Sequence, residues 1–487
     1  MVAPACAYPC LPCRARHREA HADRVCMDCY AKQVQINALR EENARLKAKL
    51  TYQERTAKEG PFKSSTPSSK IPIKPACAYT ADRPESLPER QAKRGGGQVG
   101  HRGHGRKRLT EGQVDREEIV GLDRVCPECR AEMAYKGTCS RSVIDYESGR
   151  LDRALYSLEM CRCPRCRKVY TAKPPGVFSR GRYGNGLLAH VAVEHYLFGR
   201  TLGQLEQQLG IGYGSLVQAM HGLAKVLGTV PDHLIEVYRR APVKHADETG
   251  WRNDGQNGYA WGFFTNELSL FRLRKTRSAS VAREVFGDQK LPGVLVVDRY
   301  NGYNKLPVTI QYCYAHLLRQ VKDLEKDFPD QAEIKLFVET LAPLLATAMQ
   351  LRKVETNEAA FKKQAARIVR KIKQTVHAEA HHPAVQNVQD IFRQHEKRLY
   401  HWAKDRGIPA ENNLAERDLR SLVIARKNSF GSQSDKGAHT RESLMTVLHT
   451  LKKRTDDVYG TFKSALNRLA ADPTLDPYRV LFQPDTS

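Results

Sequence analysis

The stretch VKHADETGW (243–251), followed by NGYAWGFFT (257–265), LSLFRLR (268–274) and VLVVDRYNGY (294–303), decides how this chain is read. The first three segments are rich in β-branched and aromatic residues and predict strands, with Asn257-Gly258 as the turn signal between the first pair. Ser278 to Phe286 predicts a helix. Val294–Val297 is wholly apolar, the pattern of a short strand buried on both faces, and it ends in Asp298. Much later, ENNLAERDLR (411–420) predicts a helix carrying Glu416.

Three strands, a helix, a buried strand and a late helix is the element order of an α/β RNase H-like domain. In that fold the first strand, the fourth strand and a late helix each give one carboxylate to a divalent-metal site, here Asp247, Asp298 and Glu416. Each acid also has a plain structural reading. Asp247 can end a strand, Asp298 can open the turn Arg299-Tyr300-Asn301-Gly302, and Asn413-x-x-Glu416 is a capping-box pattern. Three acids in the right elements and the right order favour the catalytic reading, because motif and context agree.

These segments resemble the DDE transposases of the insertion-sequence-66 family, found in bacteria. The matching stretches are DETGW (247–251), VVDRYNGY (296–303), CYAHLLRQ (313–320) and NNLAERDLRSLVIARKNSFGS (412–432), the last being the most specific. RGGGQVGHRGHGRKR (94–108) and the cysteine segment from Cys126 extend the likeness, which runs from about residue 30 to about residue 465. Two departures are Asp298-Arg299-Tyr300, where the family often has Asp-Gly-Tyr, and Ser429-Phe430, where a tryptophan commonly follows RKN. The resemblance implies an enzyme that cleaves the ends of an insertion sequence and joins them to target DNA by phosphoryl transfer. Asp247 and Asp298 then hold two magnesium ions and Glu416 completes the second site, as hard carboxylate oxygens suit magnesium. Arg319, Arg417, Arg420, Arg426 and Lys427 are placed to grip phosphates, although Arg420, one turn from Glu416, can instead pair with it. The rival readings are a catalytically silent zinc-dependent DNA-binding regulator and a structure-selective RNase H-like nuclease.

Composition agrees with a nucleic-acid partner. Among 487 residues, 79 Lys+Arg against 54 Asp+Glu leave a formal charge of +25, which calls for a polyanion. The first residues lack a signal-peptide apolar core, and no run approaches the roughly 18 apolar residues that cross a bilayer. A cytoplasmic, nucleoid-associated protein without membrane contact is expected. In that reducing setting thirteen cysteines argue for metal rather than disulfides. Cys10-x2-Cys13 with Cys26-x2-Cys29, and Cys126-x2-Cys129 with Cys163-x2-Cys166, are two four-thiolate zinc patterns, so two structural zinc ions are expected. Cys161 can substitute for Cys163, while Cys6, Cys77, Cys139 and Cys313 have no partner at metal spacing.

The chain divides accordingly. Residues 1–30 form the first zinc module and 31–59 a short coiled coil, with Ile36, Leu39, Asn43, Leu46 and Leu50 at heptad spacing. That seam implies a homodimer or higher oligomer, or else one helix packed on its own protein. Residues 60–110 read as a Gly/Pro-rich linker whose end holds Lys93, Arg94, Arg102, Arg106, Lys107 and Arg108, suited to sequence-independent phosphate contact with double-stranded DNA. A zinc ribbon follows at 111–178. The helical region 179–240 holds two capping-box patterns, Thr201-x-x-Gln204 and Ser215-x-x-Gln218, around Gly210-Ile211-Gly212. This suggests a helix-turn-helix exposing Gln218, His221 and Lys225, with plain helical packing as the alternative. Residues 241–465 form the catalytic domain with a helical insertion at about 320–405, and 466–487 a tail. The resemblance also allows for accessory proteins as further partners.

Overall fold

The computed structural model describes Lys32, residues 34–43, Leu109, 111–179 and 181–483. Two units divide at residue 71. In the first, residues 34–43 are helical and exposed, and Ile36, Leu39 and Asn43 of the heptad seam lie on that helix. Leu46, Leu50, the first cysteine cluster (Cys10, Cys13, Cys26, Cys29) and the basic stretch Lys93–Arg108 lie outside the described residues.

The second unit opens with a small sheet of β1 (Arg116–Val120), β2 (Ala134–Glu147), β3 (Arg150–Arg162) and β4 (Val169–Thr171). β3 pairs in parallel with β1 and antiparallel with β2 and β4. The β2–β3 hairpin turns at Ser148-Gly149, with φ of 48° and 84°, the left-handed geometry that a two-residue hairpin loop requires. The hairpin lies between the two CxxC pairs, Cys126–Cys129 and Cys163–Cys166.

Four helices follow: α1 (Asn185–Ala192), α2 (Leu202–Leu209), α3 (Tyr213–Val226) and α4 (Val230–Arg240). The Thr201 capping box forms as expected. Gln204 N–H donates to Thr201 Oγ1 at 3.2 Å, and Thr201 N–H donates to Gln204 Oε1 at 2.9 Å. The second expected box does not form, because α3 starts directly after Gly212 and Ser215 falls inside its first turn. His221 is also corrected. It is half-buried, 2.6 Å from Thr440 Oγ1, which leaves Gln218 and Lys225 exposed.

The main sheet holds β5 (Val243–Asn253), β6 (Gln256–Phe264), β7 (Ser269–Arg274), β8 (Val294–Val297) and β9 (Thr309–Tyr312) in the order β7-β6-β5-β8-β9. β5, β6 and β7 are antiparallel, and β8 and β9 join β5 in parallel. All four residues of β8 are buried, as the apolar run required. α5 (Ala279–Phe286) links β7 to β8, capped by Ser278. One expectation fails here: the β5–β6 turn is Asp254-Gly255, with φ of 51° and 73°, and Asn257-Gly258 lies within β6. Gly258 is small for another reason, since a Cβ there would sit 2.7 Å from Arg274 O.

After β9 come α6 (Tyr314–Asp327), α7 (Ala332–Leu351), α8 (Glu358–His377), α9 (Pro383–Gln394) and α10 (His401–Lys404), filling the expected helical insertion. By length and composition α7 is apolar enough to cross a membrane. Its Ile334, Phe337, Leu341 and Leu345 are instead buried in the core of the unit. α11 (Asn413–Ser429), α12 (Asp435–Lys452), α13 (Val458–Ala471) and α14 (Pro477–Phe482) complete the described chain, with α13 running through residue 465.

α12 closes the β7 edge of the sheet with side chains. Ser269 N–H donates to Thr450 Oγ1 and Phe271 N–H to Thr446 Oγ1, each at 3.1 Å, and Leu273 N–H donates to Glu442 Oε1. Alternate residues of the strand thus meet every fourth residue of the helix. Backbone donors that would otherwise invite a foreign strand are satisfied within the protein.

Candidate active site

Asp247 on β5 and Asp298, the residue that follows β8, sit at matching positions along neighbouring strand paths. His245 pairs with Val296 in the parallel β5–β8 ladder, and each acid lies two residues beyond that pair. Glu416 comes from α11, which packs across β5 and β6. Three ties along β5 fix the helix. At its start the Asn412 amide binds His245 Nδ1 at 2.8 Å and donates to Ala246 O at 2.9 Å. Near its end Arg426 donates to Thr249 Oγ1 at 3.0 Å and Gly250 O at 2.6 Å. Beyond it, Ser432 N–H donates to Arg252 O at 2.9 Å. Gly262, paired with Asp247, leaves room for the Phe264 ring, which a Cβ there would overlap, and for Leu419 Cδ1 of the helix, 3.1 Å from where that Cβ would sit.

The acids feel one another. Burial pushes the Asp247 carboxyl up to about 8, and the charges of Glu248, Asp298 and Glu416 add to the rise. Glu248 has a different job. Its buried carboxylate accepts from Arg277 Nε at 2.9 Å and from the Tyr303 hydroxyl, which ties β5 to the segments flanking α5 and β8. Asp298 Oδ1 accepts the Tyr300 N–H at 2.9 Å, so this acid also orders the turn that the plain reading assigned to it.

Glu416 does not serve as a cap. The N-cap of α11 is Asn412, its side chain is turned into β5, and Glu416 Oε1 is buried without a hydrogen-bond partner. The capping-box reading is therefore overturned. Arg420 forms no ion pair with Glu416 among the described residues; the neighbouring group is His316, whose Nε2 stands 3.9 Å from Glu416 Oε1.

Among the expected phosphate-gripping residues, Arg319, Arg417, Arg420 and Lys427 are exposed. Arg426 is corrected: it is 7% exposed and spent on the Thr249–Gly250 tie, so it is an internal strut. Arg417 and Arg420 line a cavity of ≈ 510 Å³ with Lys452, Lys453 and Phe198. A larger cavity of ≈ 630 Å³, bounded by Trp251, Arg272 and Glu442, holds none of the three acids.

The second cysteine cluster assembles. Sulfurs of Cys126, Cys129, Cys163 and Cys166 all lie within 4.8 Å of one another. Its two knuckles share one geometry: Arg130 N–H donates to Cys126 O and Arg167 N–H to Cys163 O, each at 2.9 Å, with φ near 60° at both arginines. Backbone N–H groups, that of Cys129 foremost, pull the Cys126 thiol down to about 6, favouring the thiolate that binds metal. Cys161 stays outside the cluster, with Arg124 donating to its sulfur at 3.2 Å. Cys313, read as a thiol without a partner at metal spacing, is a buried free thiol, and its sulfur lies within 4.8 Å of ligand atoms of His316 and Glu416. The signal available in the sequence was Cys313-x-x-His316, one helical turn apart; Glu416, far along the chain, gave no local sign.

The profile of the Transposase IS66 family matches residues 180–440. Three proteins of Sinorhizobium fredii, each described as uncharacterized, are similar. The protein y4qI is 25% identical over 383 residues, covering 63% of this chain and 66% of its own length. The protein y4jD is 22% identical over 396 residues, covering 72% and 76%. The protein y4hP is 24% identical over 217 residues, 39% of each. The chain thus spans just under two thirds of the first relative and well under half of the third.

Proposed function

Because the chain belongs to the IS66 transposase family, a family of DNA-processing enzymes, we propose that it is a DDE-type transposase that cuts the ends of an insertion sequence and joins them to target DNA. The observation that carries this reading is that the buried Asp247 carboxyl feels the charges of both Asp298, just past β8, and Glu416 on α11, on a sheet whose order, β7-β6-β5-β8-β9, suits an RNase H-like domain.

The acids suit a hard divalent cation. Asp247 is held protonated by burial and by three neighbouring carboxylates, a conflict that a positive ion relieves. Glu416 Oε1, lacking any partner, is a free oxygen donor. Asp247 and Asp298 would hold magnesium, with Glu416 completing the second position. When bound, two such ions supply stabilisation of the charge on the attacking and leaving oxygens of an in-line phosphoryl transfer. The chain's own part is positioning. The Asn412, Arg426 and Ser432 ties keep Glu416 in place over β5, and Arg319, Arg417, Arg420 and Lys427 offer cations to the phosphate backbone. The four-cysteine centre suits one zinc ion in a structural role, and Cys10, Cys13, Cys26 and Cys29 a second. Such a protein works on double-stranded DNA in the cytoplasm, at the nucleoid, as a dimer or higher oligomer.

Replacing Asp247 or Asp298 by Asn, or Glu416 by Gln, tests the reading. Each variant is expected to fold and bind DNA while losing magnesium-dependent cleavage and joining. Cleavage that persists in any of them removes that residue from the site. Wild-type protein that binds DNA but neither cuts nor joins supports a silent regulator, and cutting without joining supports a nuclease.

A further inference from the structure

Cys313 is fully buried and forms the N-cap of α6, and His316 lies in the same first turn. α11 brings Glu416 to this pair. One ligand atom from each residue lies within 4.8 Å of the others, and His316 Nε2 is 3.9 Å from Glu416 Oε1. Zinc bonds of about 2.0–2.3 Å to nitrogen, oxygen and sulfur set tetrahedral ligands roughly 3.3–3.8 Å apart, so small side-chain adjustments close the trio on an ion. Two atoms have nothing else to do: His316 Nδ1 and Glu416 Oε1 are both buried without hydrogen-bond partners. Cys313 Sγ accepts the Asn412 N–H at 3.1 Å, but burial outweighs this and pushes the thiol up to about 11, so an arriving ion must displace its proton. The side chains of His316 and Glu416 are each 36% exposed, which leaves a face of the trio open to solvent.

We propose that Cys313, His316 and Glu416 form a three-ligand site for a borderline transition ion, zinc or cobalt, which shares Glu416 with the magnesium site and competes with it. Thiolate and imidazole select such ions over magnesium. Binding exchanges the thiol proton for a metal–sulfur bond and draws the Glu416 carboxylate toward His316. Zinc is then an inhibitor of the magnesium-dependent reaction, a consequence that rests on the catalytic reading of Glu416. The binding itself does not.

Full-length protein whose two four-cysteine centres are kept zinc-loaded is titrated with cobalt(II), following the d–d bands and the thiolate-to-cobalt charge-transfer band. The expected result is a cobalt site whose thiolate band is absent in Cys313→Ser. In His316→Gln, which keeps every thiol, affinity should fall by about tenfold or more. Identical cobalt spectra for wild type and Cys313→Ser overturn the proposal. If Cys313→Ser does not fold, His316→Gln decides alone, and unchanged affinity overturns it. Glu416→Gln separates the two readings. A variant that is inactive yet binds cobalt as tightly as wild type sinks the trio and leaves the catalytic assignment. A variant that still joins DNA but loses cobalt affinity does the reverse.

Discussion

Asn412 and His245 stand 167 positions apart in the chain and are bonded in the core, Asn412 Oδ1 to His245 Nδ1 at 2.8 Å. The Asn412 amide nitrogen is already donating to Ala246 O, so its oxygen accepts and His245 carries its proton on Nδ1. Burial pushes this histidine down to about 4, which keeps it neutral and the bond intact at neutral pH. Three segments meet at Asn412: β5 through its side chain, α11 through its backbone, and Cys313 through its N–H.

Asn412→Ala leaves a buried His245 N–H and Ala246 carbonyl unpaired, which lowers stability by about 1–3 kcal/mol. Because it frees the start of the helix that carries Glu416, DNA joining should fall more than DNA binding. Denaturant unfolding beside a joining assay checks this; joining at the wild-type rate would mean that the helix is held without this tie.

The raised Asp247 value gives the metal-free protein a distinctive pH dependence. Its folded value, about 8, lies above the unfolded one, so the folded chain keeps a proton that the unfolded chain has released. The stability this group contributes is full below the unfolded value and is lost as pH rises toward about 8. In chelator, the melting temperature of the wild type should drop across that window more than that of Asp247→Asn. Magnesium should recover more of it at the alkaline end. Parallel profiles for the two proteins would contradict the assignment.

Purified without chelator, the full chain is expected to carry one zinc ion in each of its two four-cysteine centres, apart from any ion held at Cys313, His316 and Glu416. Cys126→Ser should release one of them and loosen the β1–β4 module while the remainder of the fold persists, since structural zinc contributes folding energy. Elemental analysis with limited proteolysis reads both effects. Zinc-free wild-type protein would defeat the expectation.

Neutralising Lys93, Arg94, Arg102, Arg106, Lys107 and Arg108 should flatten the plot of log affinity against log salt, by about 0.9 for each phosphate that is no longer neutralised. Matched and unmatched DNA should weaken alike. Loss of sequence preference alone would show that the stretch reads bases.

How much of this was legible follows from the range of the interactions. The all-apolar β8, the Thr201 cap and the helix from Ser278 to Phe286 are written within a few residues, and sequence pattern found them. The errors came where a distant group decides. Asn257-Gly258 has the composition of a turn, yet Gly258 answers to the carbonyl of Arg274, and the turn falls to Asp254-Gly255. Asn413-x-x-Glu416 has the spacing of a cap, but the true N-cap, Asn412, is claimed by His245 and Ala246. Arg426 looked like a free cation because nothing local announces Thr249 and Gly250 as its partners. The three acids were legible as candidates through their elements; the Cys313–His316–Glu416 trio was not, since it needs α6 and α11 to meet.

The side-chain ladder from α12 to β7 works like two rulers with unlike graduations. Four helical residues advance about 6.0 Å and two strand residues about 6.6–6.8 Å, so the rungs drift out of step by roughly 0.6–0.8 Å each time. Glu442, at one end, has the longer side chain and can reach across the accumulated gap, where Thr446 and Thr450 need not. A fourth rung would widen the gap further and call for a longer side chain still. A longer β7 that found no matching helix side chain would leave a bare amide for another chain to find.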